Sequence, residues 1–311
     1  MQVQGCHLEG MVDDGFNSYS DILEPSQIQR EVVGGLDLDA KRGAWVFSQY
    51  DVWEFYDGNM IPLGTGTLVQ DSTNRPGANA GEYIHQLDFG SPIPQGVVYA
   101  CNLTQFPSWT SLDGTTVRRN RGNGFRLRRD TAVSGCFFDG LSASGLQIGP
   151  SVGHWNEGPG GGDIEVFAST FQSCNRGWGL FDYQEGTINI SAAKSVGQIW
   201  STLPVGSIHH IYLHDLLILD SGGAAVTCRS AEDVTIDNCT FGSTSGLGTQ
   251  PRLDNSSNFK GQFSALSLLF FHESSNITIT NNQVQAGSTI VNGDRQGTIY
   301  GTYNKSNNVG F

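Results

Sequence analysis

The sequence predicts an all-β chain, a right-handed parallel β-helix that carries a small inserted β-barrel or β-sandwich subdomain. Three observations predict it. Short β-branched runs end in Gly, Asn or Ser turns and recur with a period in the twenties or thirties of residues, the signature of stacked strand repeats. Forty-one glycines against ten prolines, with 15% charged residues, suit a turn-rich β protein better than a helical or disordered one. Residues 21–111 break the repeat and carry hairpin signals of their own.

Taken in chain order, residues 1–20 form a first coil containing Asp13-Asp14-Gly15-Phe16-Asn17. In the 21–111 insertion, residues 51–56 and 62–69 read as a hairpin turning at Asp57-Gly58-Asn59, with further strands near 83–89 and 96–101. Residues 112–311 supply the remaining coils. Residues 132–138 lead to 145–148, residues 164–166 to 170–171 and then 179–181, and residues 208–213 to 216–218 and 224–226. Residues 234–241 and 277–284 are near copies of each other. No coil buries its apolar side alone, so inward Val, Ile, Leu and Phe are expected to stack between coils. Asn238, Asn281 and Asn282 fit turn positions that favour a short amide. Segments 156–162 and 242–260 read as loop insertions that shape a site.

A net charge of −13 and a pI near 4.8 argue against nucleic acid as a partner, which requires a basic stripe. Arg118, Arg119, Arg121, Arg126, Arg128 and Arg129 are the exception, and strand alternation should turn about half of them to solvent. No apolar run reaches membrane-spanning length, so no membrane partner is expected. The N-terminal residues have no basic start or apolar segment of a leader peptide, yet sequons at Asn102, Asn189, Asn238, Asn255, Asn276 and Asn304 suit an extracellular, secreted glycoprotein. The six cysteines lack zinc-knuckle spacing. Cys228 and Cys239 are close enough in sequence to pair under oxidising conditions, and the others suit stacked small apolar positions.

The chemistry-bearing residues are acidic. Hydrolysis of a glycosidic bond needs one protonated carboxyl for the leaving oxygen and one ionised carboxylate to activate water or attack the anomeric carbon. Asp13, Asp14 and Glu157 are the candidate set. Neighbouring Asp13 and Asp14 should point to opposite faces unless Gly15 bends the strand. A carboxyl separation of about 6.5–9.5 Å would imply inversion and one near 5 Å retention. Asn17, Arg121 and Asn123 are candidate substrate donors and acceptors, and Trp155 is a candidate for stacking on a sugar face or for closing the coil stack. His209, His210 and His214 look like ligands, but alternation places His210 and His214 on one face and His209 on the other, so coordination is not expected. No metal or organic cofactor is expected.

Three motifs resemble the parallel β-helix glycoside hydrolases, most closely glycoside hydrolase family 110, the exo-acting enzymes that release galactose from α-1,3 linkages. They are Asp13, Asp14, Gly15 and Asn17; Asn120, Arg121 and Gly124; and Trp155 with Glu157. Their order also resembles that family's, as does an insertion between the first two that contains Val52-Trp53-Glu54-Phe55-Tyr56 and Pro62-Leu63-Gly64-Thr65-Gly66. The resemblance implies a glycan substrate and a two-carboxylate mechanism. This chain departs from the family at Ser18-Tyr19-Ser20, where the family has His-Gly, and in placing the acidic motif so close to Met1, which implies a fragment or a shortened relative.

Two other readings use the same scaffold. The arginine cluster would suit a polysaccharide lyase. A non-enzymatic structural or glycan-binding β-helix would suit the sequons and the missing His, with open coil ends stacking into a homo-oligomer.

Overall fold

The computed structural model describes residues 1–23, 28–32, 35–40, 48–76, 83–153, 156–176, 186–196, 199–244, 267–288, 292–296 and 299–310. Among them every regular element is a strand. The chain divides into two compact units: Met1–Ser18 with Trp109–His154 and Gly160–Phe311, and Tyr19–Ser108 with Trp155–Pro159.

The larger unit is built on three long parallel sheets. The first contains eight strands and the other two seven each, all paired in parallel register. The chain visits the sheets in rotation. Arg129–Ser134 lies in the first, Phe137–Asp139 in the second and Leu146–Ile148 in the third. The next visit to the first sheet, Gly161–Phe167, then pairs directly with Arg129–Ser134.

The inward residues of successive circuits stand in register. In the first sheet Leu112, Val133, Val166, Leu213, Ile236 and Ile279 form one column, each fully buried. In the second, Val117, Phe138, Phe171, Ile218 and Phe241 form another. Phe138 stacks on Phe171 with centroids 4.6 Å apart and meets Phe125 edge-on at 4.9 Å. Each such ring removed from water contributes about 1.5–3 kcal/mol, so the column is a main source of cohesion.

A two-residue corner joins each first-sheet strand to the second-sheet strand that follows. Its first residue is left-handed in every circuit: Gly5, Gly114, Gly135, Ala168, Asp215, Asn238 and Asn281 have φ between 47° and 60°. Glycine and asparagine dominate because they tolerate that conformation best. Of the three asparagines expected at turns, Asn238 and Asn281 take this place. Asn282 takes the second corner position, where it is buried and donates from Nδ2 to Ile236 O at 2.9 Å while accepting from the Cys239 N–H at 2.8 Å.

That second position holds three of the six cysteines, Cys6, Cys136 and Cys239. Cys6, Thr115, Cys136, Ser169, Leu216 and Cys239 succeed one another there, and the carbonyl of each accepts, at 2.8–3.0 Å, from the N–H that opens the second-sheet strand of the next circuit. None of the six cysteines forms a disulfide, so the expected Cys228–Cys239 pairing does not occur. Cys228 lies in a third-sheet strand while Cys239 sits at the opposite corner, each thiol within reach of its own hydroxyl or carbonyl partner.

The smaller unit consists of antiparallel strands. Val52–Tyr56 pairs with Pro62–Thr67 and with Tyr99–Asn102, which continues to Ser20–Leu23. Ile28–Val32, Gly35–Ala40, Tyr83–Asp88 and Gln70–Pro76 make a second sheet. Leu23, Trp53, Phe55, Leu68, Leu87, Phe89, Ile93 and Ala100 form the core. The hairpin turn is held by Asp57, whose Oδ1 accepts from the N–H groups of Asn59 and Ile61 at 2.8 and 3.0 Å.

Segment 156–162 is not a loop insertion. Glu157–Gly158 pairs antiparallel with Asp21 and Ser20, and Gly161 and Gly162 already belong to the first-sheet strand Gly161–Phe167. Of segment 242–260, residues 245–260 lie outside the described residues, as do residues 179–181.

Candidate functional site

The first three third-sheet strands of the larger unit each follow a bend, and these bends stand in register. Phe16 pairs with Phe125, Phe125 with Leu146 and Leu146 with Ile188, so Asp14, Asn123, Ser144 and Gly186 share one position in successive circuits. The acidic motif is therefore the first occurrence of a turn that recurs as Asn123-Gly124-Phe125-Arg126 and Ser144-Gly145-Leu146-Gln147. In the first three circuits its second residue is glycine, Gly15, Gly124 and Gly145, each packed too closely for a side chain. A Cβ on Gly124 would lie 2.4 Å from Gly145 O and 2.5 Å from the Phe138 ring.

Asp14 and Asp13 face different surroundings, as alternation suggests. The Asp13 side chain is exposed, and its Oδ1 accepts from the Asp14 N–H at 2.9 Å. Asp14 turns inward. Its Oδ1 accepts from both the backbone N–H and the Nδ2 of Asn123 at 2.8 Å, and its Oδ2 lies 3.6 Å from Nη1 of Arg126. Both side chains of that ion pair are nearly buried, Asp14 10% exposed and Arg126 7%. Burial pushes the Asp14 carboxyl above its ordinary range, and the Arg126 charge and the two Asn123 hydrogen bonds only partly oppose it.

Of the six clustered arginines, Arg126 is the one that meets the acid. Arg121, the residue expected to contact substrate, has an exposed side chain. The signal that would have found Arg126 lies in the strands themselves. Phe125-Arg126-Leu127, Leu146-Gln147-Ile148, Ile188-Asn189-Ile190 and Val226-Thr227-Cys228 each place one polar residue between two core-facing ones. The register joins them into a row, Asn17, Arg126, Gln147, Asn189 and Thr227. From Arg126 to Thr227 every member is buried. Asn189 donates from Nδ2 to Gln147 Oε1 at 2.6 Å and accepts from the Thr227 hydroxyl. The amides and hydroxyl of the row thus satisfy one another inside the protein, and at its start the half-buried Asn17 and the Asp14 carboxyl retain some exposure.

Glu157 belongs to the smaller unit, where it is buried in a short strand opposite Asp21, with Gly158 packed against Ile22 and Cys101. Trp155 and His154 lie outside the described residues. Asn17 is half-buried beside Arg126, and Asn123 is buried with its amide nitrogen engaged by Asp14.

The six clustered arginines do not converge. Arg118 pairs with Asp139 at 2.8 Å, Arg119 with Glu9 at 3.1 Å and Arg129 with Asp130 at 3.0 Å, while Arg128 is fully buried and donates to Leu127 O at 3.2 Å. Two of the sequons also fall inside the protein. Asn102 is buried and donates to Asp51 Oδ2 at 2.7 Å, and Asn189 is the buried amide of the polar row.

Alternation fails at the histidines. His210 is left-handed, with φ 52°, and this kink brings His209 and His210 to one place with ring centroids 4.9 Å apart. His214 lies elsewhere, stacked on Phe167 and Tyr212 and bridged to Asp215 and Glu165 at 2.7 and 3.2 Å. Asp163, His209 and His210 converge closely enough to share a cation.

No protein-family model matches the sequence, and no curated protein matches it either.

Proposed function

We propose that the chain is a glycoside hydrolase on a right-handed parallel β-helix, secreted, and acting on a terminal α-linked, galactose-type sugar. The observation that carries this reading is the Asp14 carboxyl, raised by burial beside Arg126. An elevated carboxyl is what a proton donor to a glycosidic oxygen needs at mild pH. Asp13 then serves as the ionised partner, and Asn17 and Arg126 hold sugar hydroxyls. The rotation of the chain through three parallel sheets supports the β-helix, and the order of the acidic, Arg-rich and Trp-x-Glu motifs supports the glycosidase.

The test is release of monosaccharide from α-galactosyl glycans and a nitrophenyl α-galactoside, with Asp14→Asn beside the unaltered chain. Asparagine keeps an oxygen for Asn123 but has no proton to give. Loss of about 10²–10⁴-fold in turnover supports the proton donor. No release by the unaltered chain, or equal release by Asp14→Asn, overturns it.

A non-catalytic glycan-binding scaffold is the competing reading. It is favoured by Asp14 sharing its position with Asn123 and Ser144, neither of which is an acid. Saturable glycan binding without turnover, unchanged by Asp14→Asn, would establish it. The lyase reading loses its support with the dispersal of the arginines.

A further inference from the structure

We propose that Asp163, His209 and His210 form a binding site for a divalent transition cation, zinc above all, on the outer face of the first sheet. The inference is independent of the hydrolase reading and of Asp14.

Three donor atoms converge there. His210 Nδ1 lies 3.3 Å from His209 Nδ1 and 3.2 Å from Asp163 Oδ1. Zinc bonded at about 2.0–2.1 Å in a tetrahedron holds its ligand atoms about 3.3 Å apart, so both spacings match the edges of that polyhedron. Two imidazoles and one carboxylate are also a ligand set that zinc favours, with the fourth position open to water.

The protonation chemistry gives a second argument. Nε2 of His210 faces Asp233 Oδ2 at 3.4 Å, and Asp233 is itself held by Asn276, whose Nδ2 donates to Oδ1 at 3.0 Å. A carboxylate behind one ring nitrogen draws the proton to that nitrogen and leaves the other as a lone pair, the arrangement seen behind metal-bound histidines. The Nδ1 lone pair of His210 would then face both the carboxylate of Asp163 and a nitrogen of His209. A single proton on Nδ1 serves one of those contacts well, whereas a cation serves both.

The backbone builds the cluster. Asp163, His210, Asp233 and Asn276 are all left-handed, with φ of 52° to 55°, and they follow one another in the register of the first sheet. That repeated kink overrides strand alternation and turns His209 toward its neighbour. Gly162 supplies the room, because a Cβ there would lie 2.2 Å from Cε1 of His209. The two histidines and the aspartate come from adjacent strands, Ile208–His214 and Gly161–Phe167, so a bound ion would clamp two successive circuits.

The experiment is calorimetric titration of Zn²⁺ into the chelator-stripped full chain near pH 7.5, with Co²⁺ as a spectroscopic substitute. The expected result is one equivalent bound, with visible absorption typical of Co²⁺ in a low-coordinate site. His210→Asn keeps a residue that tolerates the left-handed conformation, and Asp163→Asn does the same. Each should weaken binding by at least about tenfold, and His214→Ala should leave it unchanged. Circular dichroism confirms that each variant is folded; if one is not, the other decides. Absence of a one-equivalent site, or binding that survives both His210→Asn and Asp163→Asn, overturns the proposal and leaves a cluster held by protons alone.

Discussion

Asp14 and Asn123 occupy the same turn position in successive circuits, and one oxygen of the Asp14 carboxylate accepts both N–H groups that Asn123 presents, each at 2.8 Å. One residue thus has two tasks: it fastens the first circuit to the second, and it holds a buried acid. The two can be separated. Asp14→Asn should preserve the fastening, while Asp14→Ala leaves two donors unpaired and should cost about 1–3 kcal/mol in denaturant unfolding.

The pH dependence of that comparison has a definite sign. A carboxyl raised in the folded state binds its proton more tightly there than in the unfolded chain. Its contribution is fully present below the ordinary carboxyl value of 3.8 and is lost as pH rises through the elevated folded value. Relative to Asp14→Asn, the unaltered chain should therefore lose stability as the pH is raised across this window. Equal slopes for the two proteins across the same range would show that Asp14 is not raised.

The two kinds of glycine in the turns should respond in opposite ways. Gly114 is left-handed, and a Cβ there meets nothing closer than 4.0 Å. Asn238 and Asn281 occupy the equivalent corner, so Gly114→Asn should change stability by less than about 1 kcal/mol. Gly124 has no such space, and Gly124→Ala should destabilise by roughly 3 kcal/mol through displacement of Phe138 and the Gly145 carbonyl. Thermal unfolding of the two variants side by side tests this, and a tolerated Gly124→Ala would contradict the packing.

The strand repeat was legible because its signal is dense: β-branched runs, closing glycines and the paired copies at 234–241 and 277–284. What escaped has identifiable causes. Asp13-Asp14-Gly15-Phe16-Asn17 and Gly122-Asn123-Gly124-Phe125-Arg126 look like separate motifs because the smaller unit intervenes between them, and only the register makes them one turn. Only alternation counted outward from Phe125 separates Arg126, in the buried polar row, from the exposed Arg121. The meeting of His209 and His210 had no mark in sequence, since φ at His210 is set by the kinked row in which it lies. Glu157 reads as a loop residue in sequence because its pairing partner, Asp21, lies far away along the chain.

Thiol chemistry should single out one cysteine. Cys6 is exposed, while the other five are buried. Burial pushes the thiols of Cys174, Cys228 and Cys239 up to about 12 and that of Cys136 to about 11, so almost none is thiolate at neutral pH. An aromatic disulfide reagent should titrate one thiol rapidly in the native protein and six in denaturant. Cys6→Ser should abolish the fast phase. A second fast thiol would mean that one of the five buried positions opens in solution.

Asn189 gives the sharpest conflict between sequence and fold. It heads an Asn-Ile-Ser sequon, yet its amide is fully buried between Gln147 and Thr227. A glycan on Nδ2 would replace the hydrogen bond to Gln147 and require the row to open, so folding and glycosylation compete for the same nitrogen. Expression through a eukaryotic secretory pathway followed by peptide mapping should find Asn189 and Asn102 unmodified, with occupancy confined to exposed sequons such as Asn238 and Asn304. Asn189→Ala should cost about 2–4 kcal/mol, because Gln147 and Thr227 each lose a buried partner and a cavity remains. Occupied Asn189 in protein that unfolds at the same temperature as unglycosylated protein would mean that the polar row is not the buried ladder described.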